Sequence, residues 1–123
     1  MSIPATLQYD ADGLVPVAVQ DYESRDVLML AFMNREALES TIATGRVTYW
    51  SRSRRKLWVK GETSGFRQYL KAIYVNCENN SLLIEAEQIG AACHEGYRTC
   101  YYRRLTPTGD ALEQVQEQIA EPY

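Results

Sequence analysis

The stretch LVPVAVQDYESRDVLMLAFMN, residues 14–34, decides the fold. Valine recurs at alternate positions within residues 14–21, which is the period of a strand with one buried face. Residues 27–33 form a continuous apolar run, which predicts a strand buried on both faces. Because the polar break at residues 24–26 is short, the two strands are predicted to pair as an antiparallel hairpin.

A helix is predicted directly after this hairpin. Asn34 is a favourable N-cap, Glu36 suits the first turn of a helix and Gly45 is a typical end. A tight polar turn at residues 78–80 is expected to join two of the strands that follow. Strands are predicted where β-forming residues cluster, at residues 46–52, 57–60, 69–77, 81–87 and 101–104.

The tail of the chain is predicted to be a second helix that starts at Asp110. Leu112, Val115 and Ile119 recur at helical spacing, which indicates one apolar helix face. Glu113 follows Asp110 by three residues, and this pair resembles a capping box.

These elements predict a mainly β fold of the α+β class with flanking helices, in which an antiparallel sheet or pseudo-barrel is capped by the central helix. Antiparallel pairing is expected because short turns, rather than crossover helices, join most of the strands. We expect a single domain over residues 1–123, with its core at residues 7–104 and the helical tail at residues 105–123.

Composition excludes several classes of protein. Of the 123 residues, 46% are hydrophobic and 24% are charged, which is ordinary for a globular domain and excludes disorder and collagen. The longest apolar run is too short to cross a bilayer, so no membrane partner is expected. A net charge of -3 makes the chain a poor general binder of nucleic acid. Three cysteines and no visible signal peptide predict a cytoplasmic location.

The three cysteines are the first indication of chemistry. Cys77, Cys93 and Cys100 have the spacing C-x15-C-x6-C, which is not the C-x2-C knuckle of a structural zinc finger. Three thiolates fit a catalytic zinc, which keeps one position open for water. The alternative is that they are small buried apolar residues. Because Cys93 falls in a loop opened by Gly90, the metal interpretation is favoured.

His94 is the only histidine of the chain and follows Cys93 directly. Because imidazole titrates near neutral pH, it could transfer protons beside a metal-bound water. Two alternatives stay open, a fourth zinc ligand that would make the site structural, or an ordinary surface or core histidine.

A basic run and a glycine-bounded loop could hold phosphate. Residues 51–56, SRSRRK, are expected to alternate so that Arg52 and Arg54 share one side of a strand, opposite Ser51. Guanidinium groups bind phosphate with two hydrogen bonds. Residues 60–65, KGETSG, offer backbone amides, hydroxyls and a carboxylate, and they could cradle a phosphate or form an ordinary turn.

Several of these segments together resemble the phosphoribosyl-AMP cyclohydrolases of histidine biosynthesis. The resemblance covers about residues 7–104, nearly the whole chain, and it predicts the monofunctional form without a fused pyrophosphohydrolase domain. The matching segments are GLVP (residues 13–16), VLMLAFMN (27–34), WSRSR (50–54), LWVKGETSG (57–65), GAACHEG (90–96) and CYYR (100–103).

The resemblance implies a homodimer that uses zinc and magnesium. It implies one zinc per subunit, shared between dimer partners and bound by Cys77, Cys93 and Cys100. It also implies a magnesium site in an Asp-Cys-Asp-x-Asp motif, which reads NCENN at residues 76–80 here. The three magnesium positions are therefore Asn76, Glu78 and Asn80, of which only Glu78 keeps a charge. An amide oxygen is a weaker ligand for this hard cation, so the magnesium site is expected to be weakened.

The implied reaction is hydrolysis of the N1–C6 bond of an adenine ring that carries phosphoribose on N1. Zinc lowers the pKa of its bound water to about 7, which supplies the nucleophile that attacks C6. His94 is expected to be catalytic, as the group that moves a proton to or from the reacting atoms. The candidate substrate-binding residues are Trp50, Ser51, Arg52, Arg54, Lys60, Glu62, Thr63 and Ser64.

Two other functions stay open at this point. A relative that acts on another purine derivative would explain the altered segment at residues 76–80. A zinc-stabilised binding module without catalysis would use the three cysteines and His94 as four ligands.

Overall fold

The computed structural model describes residues 3–123. These residues form one helix and eight strands, and the strands are arranged in three sheets. Within these residues, no helix is long and apolar enough to cross a membrane. The elements in chain order are β1 (Val15–Asp21), β2 (Val27–Met33), α1 (Arg35–Thr44), β3 (Thr48–Ser51), β4 (Lys56–Val59), β5 (Gln68–Val75), β6 (Leu82–Gln88), β7 (Arg103–Leu105) and β8 (Leu112–Gln114).

The central sheet has the strand order β2-β1-β6-β5. The predicted hairpin of β1 and β2 is confirmed, and β5 and β6 form a second antiparallel pair. However, β1 and β6 are parallel, so the prediction of a wholly antiparallel sheet is wrong and the sheet is mixed. A parallel pair needs a long connection, and the helix with the following hairpins supplies it by returning the chain to the edge of β1.

The apolar pattern of β1 is confirmed, because Val15, Val17 and Val19 are completely buried. The prediction that β2 is buried on both faces is wrong for this chain, since Val27 and Leu30 are 54% and 56% exposed. β2 lies at the edge of the sheet, and the residues that it buries in the core are Leu28, Met29 and Met33.

The predicted helix is confirmed at both ends. The Asn34 side chain accepts a hydrogen bond from the Ala37 amide (2.8 Å), as an N-cap does. Gly45 ends the helix in the left-handed conformation (φ 74°), and its amide donates to the Thr41 carbonyl (2.9 Å). Ala37, Leu38 and Thr41 form the buried face of the helix.

The basic run forms a turn rather than a strand. β3 ends at Ser51, and residues 52–55 reverse the chain into β4, with Arg55 in the left-handed region (φ 53°). The expected alternation of Arg52 and Arg54 on one side of a strand is therefore wrong. The turn closes early because the Ser51 hydroxyl accepts from the Arg54 amide (3.2 Å) and the Ser51 carbonyl from the Arg55 amide (2.8 Å).

The predicted helical tail is wrong. β7 and β8 form a short antiparallel hairpin instead, so α1 is the only helix within residues 3–123 and the expected flanking helices reduce to one. Asp110 accepts hydrogen bonds from the side chains of Thr106 (3.0 Å) and Thr108 (2.6 Å). Its carboxylate therefore stabilises the hairpin turn and does not cap a helix. We call residues 103–123 the C-terminal arm.

Asp21 links the end of β1 to the loop that follows β6. Its carboxylate accepts from the amides of Glu23 (3.0 Å) and Ser24 (2.8 Å) and lies 3.4 Å from an Arg98 guanidinium nitrogen. Burial alone would raise the pKa of Asp21, but these hydrogen bonds and the Arg98 charge hold the pKa below its usual value.

Asp21→Asn tests this link. A carboxyl with a lowered native pKa stabilises the fold above its unfolded pKa of about 3.9, and that stabilisation is lost as pH falls through the native pKa. We expect the variant to be less stable by about 1 kcal/mol at neutral pH, and the difference from wild type to shrink in acid. Urea unfolding at several pH values measures it, with exposed Asp12→Asn as the control. A difference that is independent of pH would contradict this role.

Candidate active site

The cysteine-bearing segment is a narrow loop at residues 90–100, which we call the site loop. Its two sides are joined by hydrogen bonds from the Ala92 amide to the Arg98 carbonyl (3.2 Å) and from the Cys93 amide to the Tyr97 carbonyl (3.0 Å). The Gly96 amide donates to the Cys93 carbonyl (2.9 Å), which closes the tip. Cys93 is therefore buried at a tight turn.

The far end of the site loop is attached to the free edge of β2. The Cys100 amide donates to the Leu28 carbonyl (2.8 Å), and the Thr99 hydroxyl donates to the Val27 carbonyl (2.8 Å). As a result, the Cys93 thiol lies near Cys100, and burial together with this neighbour raises the pKa of Cys100 to about 11. Two of the three predicted zinc ligands therefore lie together.

Lys60 lies beneath these thiols. It is only 1% exposed, and its ammonium donates to the Ala92 carbonyl (2.6 Å) and the Tyr123 hydroxyl (3.0 Å). Burial lowers the pKa of Lys60, whereas the nearby Cys100 and Cys93 act in the opposite direction. Sequence reasoning placed Lys60 among the substrate ligands, but the structure places it under the site loop and not on an open surface.

Cys77 lies apart from the other two cysteines. It is exposed in the turn between β5 and β6, whereas the site loop begins after β6. Seven residues of extended chain span roughly 20 Å, so β6 separates the two ends. Across residues 3–123, no three side chains of His, Cys, Asp or Glu come together as a metal-binding group.

The tip of the site loop presents His94 and Glu95, both exposed, beside Cys93. The Tyr102 hydroxyl donates a hydrogen bond to the Glu95 carboxylate, which holds this acid near the thiols. Sequence reasoning did not single out Glu95, Tyr102 or the more distant Tyr123. The stretch CHEG shows Glu95 beside two candidate site residues, and that is the only local signal for it.

The proposed magnesium positions form a hydrogen-bonded turn. The Asn76 side-chain oxygen accepts from the amides of Asn80 (2.8 Å) and Ser81 (3.0 Å), and its nitrogen donates to the Asn80 side chain (2.7 Å). Glu78 is exposed in the same turn. The two amides thus stabilise the turn between β5 and β6 by bonding to each other.

The remaining substrate candidates fall in two places. Trp50 and Arg52 line a cavity of about 250 Å³ together with Arg55, so two arginines contribute to its lining. The other lining residues are Asp12, Leu14 and Asn34. The Arg52 guanidinium also lies 4.0 Å from the centre of the Phe32 ring. Arg54 is exposed in the turn between β3 and β4, and Ser51, at the end of β3, is partly buried.

The glycine-bounded loop lies on the side of the molecule that carries the site loop. Lys60, the first residue of this loop, donates to the Tyr123 hydroxyl, and the ring of Phe66, directly after the loop, packs against the Tyr123 ring. Gly61 has φ 80°, and a Cβ at this position would collide with the backbone of Arg67, so the tight loop requires glycine. Of the other candidates of this loop, Glu62 and Thr63 are exposed.

The fold and these side chains define a small α+β protein with a thiol-based candidate metal centre in the loop after its central sheet. The family model for phosphoribosyl-AMP cyclohydrolase matches residues 29–102. The phosphoribosyl-AMP cyclohydrolase of Methanosarcina acetivorans is 52% identical over 117 residues, covering 95% of this chain and 92% of that protein. That of Cereibacter sphaeroides is 52% identical over 112 residues, covering 91% and 92%. The chain belongs to the phosphoribosyl-AMP cyclohydrolase family.

Replacing both amides of the turn tests whether it can hold a cation. In a variant with Asn76→Asp and Asn80→Asp, two carboxylates replace a hydrogen-bonded amide pair, and their repulsion at a few Å costs on the order of 1 kcal/mol. We expect a lower melting temperature without divalent cations, and recovery as Mg²⁺ is added. Thermal unfolding across a magnesium titration measures both effects.

The control for this experiment is Asn79→Asp, which adds charge to the same turn without replacing either member of the amide pair. Its melting temperature should respond only weakly to Mg²⁺. If the double variant also fails to respond, these positions do not converge on a cation, and Glu78 is an ordinary turn carboxylate.

Proposed function

We propose that this protein hydrolyses the N1–C6 bond of the adenine ring in phosphoribosyl-AMP, a ring-opening step of histidine biosynthesis. Its membership of the family carries the proposal, because relatives named for this activity are about half identical over nearly the whole chain. Phosphoribose on N1 makes the ring electron-poor, so water adds at C6 and the bond to N1 breaks. The protein is accordingly a hydrolase.

We further propose that zinc is bound by Cys93 and Cys100 of one chain together with Cys77 of a second copy. The donors suit the ion, since the two thiols are neighbours and the Lys60 ammonium lies near enough to balance the charge of two thiolates. Bound zinc supplies a water that is reactive at neutral pH. β6 separates Cys77 from the site loop within one chain, which supports the shared arrangement.

A homodimer also fits the exposed apolar surface. Monomers rarely expose large contiguous apolar patches, whereas β2 and the C-terminal arm both carry exposed apolar side chains in this chain. They are Val27 and Leu30 on β2, and Leu105, Leu112, Val115 and Ile119 in the arm. We also propose the predicted pseudo-barrel. The Arg46–Tyr69 bridge supports it, because it joins the segment before β3 to β5 of the central sheet.

The chain's own groups would divide the remaining work. We propose that His94, exposed beside Cys93, moves a proton between the attacking water and the leaving nitrogen. The cavity bordered by Arg52 and Arg55 is the proposed site for a substrate phosphate, and Trp50 could stack on a ring there. Glu62, Thr63 and Ser64 stay candidates for the second phosphoribosyl group.

Other readings are weaker on the same observations. A closed four-ligand zinc site within one chain would need His94 and Cys77 beside the paired thiols, and no such group forms within residues 3–123. A different purine substrate is motivated by the amides at positions 76 and 80, but these amides stabilise the turn by bonding to each other. We also propose a cytoplasmic location, since the three cysteines are free thiols.

Mixing two inactive variants tests the shared site together with the activity. Wild type should convert phosphoribosyl-AMP to its ring-opened product and lose turnover when zinc is removed by a chelator. Cys77→Ser and Cys93→Ser should each be inactive as homodimers. A hybrid of the two has one intact site, so co-refolded mixtures should regain part of the activity.

The matched control is a hybrid of Cys93→Ser with Cys100→Ser. Both lesions lie on the site-loop side, so every site in that hybrid keeps one defect and no activity should return. If verified hybrids of Cys77→Ser and Cys93→Ser are also inactive, the shared site is wrong. If the wild type does not open the substrate ring, the proposed activity is wrong.

His94→Asn separates proton transfer from metal binding. We expect the variant to keep its zinc but to lose roughly 10²–10⁴-fold in kcat, the usual size of acid–base catalysis. Metal analysis of the purified protein and steady-state kinetics measure the two effects. Loss of zinc in this variant would instead make His94 a ligand and favour a structural metal site.

A further inference from the structure

The end of the C-terminal arm runs along the outer side of the site loop. The amides of Ile119 and Ala120 donate to the Gly96 carbonyl (2.8 and 3.1 Å), and the Tyr123 amide donates to the His94 carbonyl (2.7 Å). A Cβ at Gly96 would collide with the Ala120 carbonyl oxygen, so this approach requires glycine there. The arm lies beyond residues 29–102, the part of the chain that the family model matches.

The Tyr123 side chain enters between the site loop and the glycine-bounded loop. Its hydroxyl lies 2.9 Å from the Ala91 carbonyl oxygen and 3.2 Å from that of Ala92, to which it can donate, while it accepts from the Lys60 ammonium (3.0 Å). Its ring packs edge-on against Phe66, with 5.4 Å between ring centres.

Lys60 is thereby enclosed. Its ammonium lies 5.3 Å from the centre of the Trp58 ring and 5.4 Å from that of Tyr123, distances at which a cation is attracted to an aromatic ring. A buried cation is costly unless it is paired and hydrogen-bonded. The Tyr123 hydroxyl and the Ala92 carbonyl supply those hydrogen bonds, and the thiols of Cys93 and Cys100 supply the complementary charge once they bind metal.

We propose that Tyr123 is a positioning residue of the active site, which acts through Lys60 by holding its ammonium, shielded from water, against the Cys93 and Cys100 thiols. The proposal rests on the proposed function of the site loop. Tyr123 is not among the residues lining the cavity bordered by Arg52 and Arg55, so its effect is expected on the chemical step and not on a phosphate bound in that cavity. The C-terminal arm, predicted from the sequence to be a helical tail, would thus contribute Tyr123 to the site.

Two substitutions separate the hydroxyl from the ring. Tyr123→Phe keeps the ring against Phe66 and over Lys60 but removes the hydrogen bond, and Tyr123→Ala removes both. The matched control is Tyr22, replaced by Phe and by Ala, because its ring lies 5.0 Å from the ammonium of a different lysine, Lys71.

The first readout needs no substrate. Reductive methylation of the zinc-loaded native protein, followed by peptide mass spectrometry, reports how readily each lysine is reached. Lys56 and Lys71 are exposed and serve as internal references, whereas Lys60 is buried. We expect Lys60 to be protected in the wild type and in both Tyr22 variants, and to be labelled at least about tenfold faster in Tyr123→Ala, with Tyr123→Phe between them.

The second readout is steady-state kinetics on phosphoribosyl-AMP. Loss of a hydrogen bond to a charged group should lower kcat about tenfold in Tyr123→Phe, and further in Tyr123→Ala, while KM changes less than about twofold. A purely structural role would lower the folded fraction without this split, which circular dichroism of each variant checks. Should Tyr123→Ala not fold, the comparison of Tyr123→Phe with Tyr22→Phe decides.

The outcomes are distinct. Protection of Lys60 in both Tyr123 variants, or an unchanged kcat in them, would overturn the positioning role. A rise in KM at constant kcat would also overturn it, because that would place Tyr123 in substrate binding. A wild type that protects Lys60 but does not turn over phosphoribosyl-AMP would contradict the proposed function and leave the labelling result as the test of the contact.

Discussion

The parallel pairing of β1 with β6 is the constraint on which the layout of the site depends. β6 begins after the turn that carries Cys77 and ends before the loop that carries Cys93 and Cys100. Since both strands are extended and share a buried apolar face, the strand cannot bend to bring its ends together. The three cysteines, which look like one ligand set in the sequence, are divided between two ends of the sheet. The second copy proposed above would bring them together.

Elements with local signals could be predicted from the sequence, and those that depend on distant partners could not. The α1 helix could be predicted, and is confirmed, because its caps Asn34 and Gly45 are local signals directly next to its two ends. The prediction of a helical tail is wrong because apolar residues at helical spacing do not form a helix without a surface to pack on. The pairing of β7 with β8 and the turn at Asp110 supply the hydrogen bonds of this segment instead. The parallel pairing of β1 with β6 joins segments far apart in the chain and has no local sequence signal, so a mixed sheet could not be predicted.

The candidate site divides in the same way. That Cys93 and Cys100 are neighbours follows from a short loop and could be predicted from the sequence. The place of Lys60 was not, because its partners Ala92 and Tyr123 are 32 and 63 positions away along the chain. A lysine in a glycine-bounded loop resembles a phosphate ligand in any sequence. Only packing shows whether its ammonium faces solvent or the interior.

A buried lysine beneath paired thiols also explains why so small a fold keeps an ordered arm. Removing an ammonium from water is expensive, and hydrogen bonds to buried acceptors offset part of that cost. The short site loop offers the ammonium one carbonyl, that of Ala92, whereas the Ala91 carbonyl lies within hydrogen-bond distance of the Tyr123 hydroxyl. The C-terminal arm adds the Tyr123 hydroxyl, and Gly96 gives the arm room to approach. In the proposed site, the charge that would balance the zinc-bound thiolates is held by a segment remote in sequence, which would tie the chemistry of the loop to the docking of the arm.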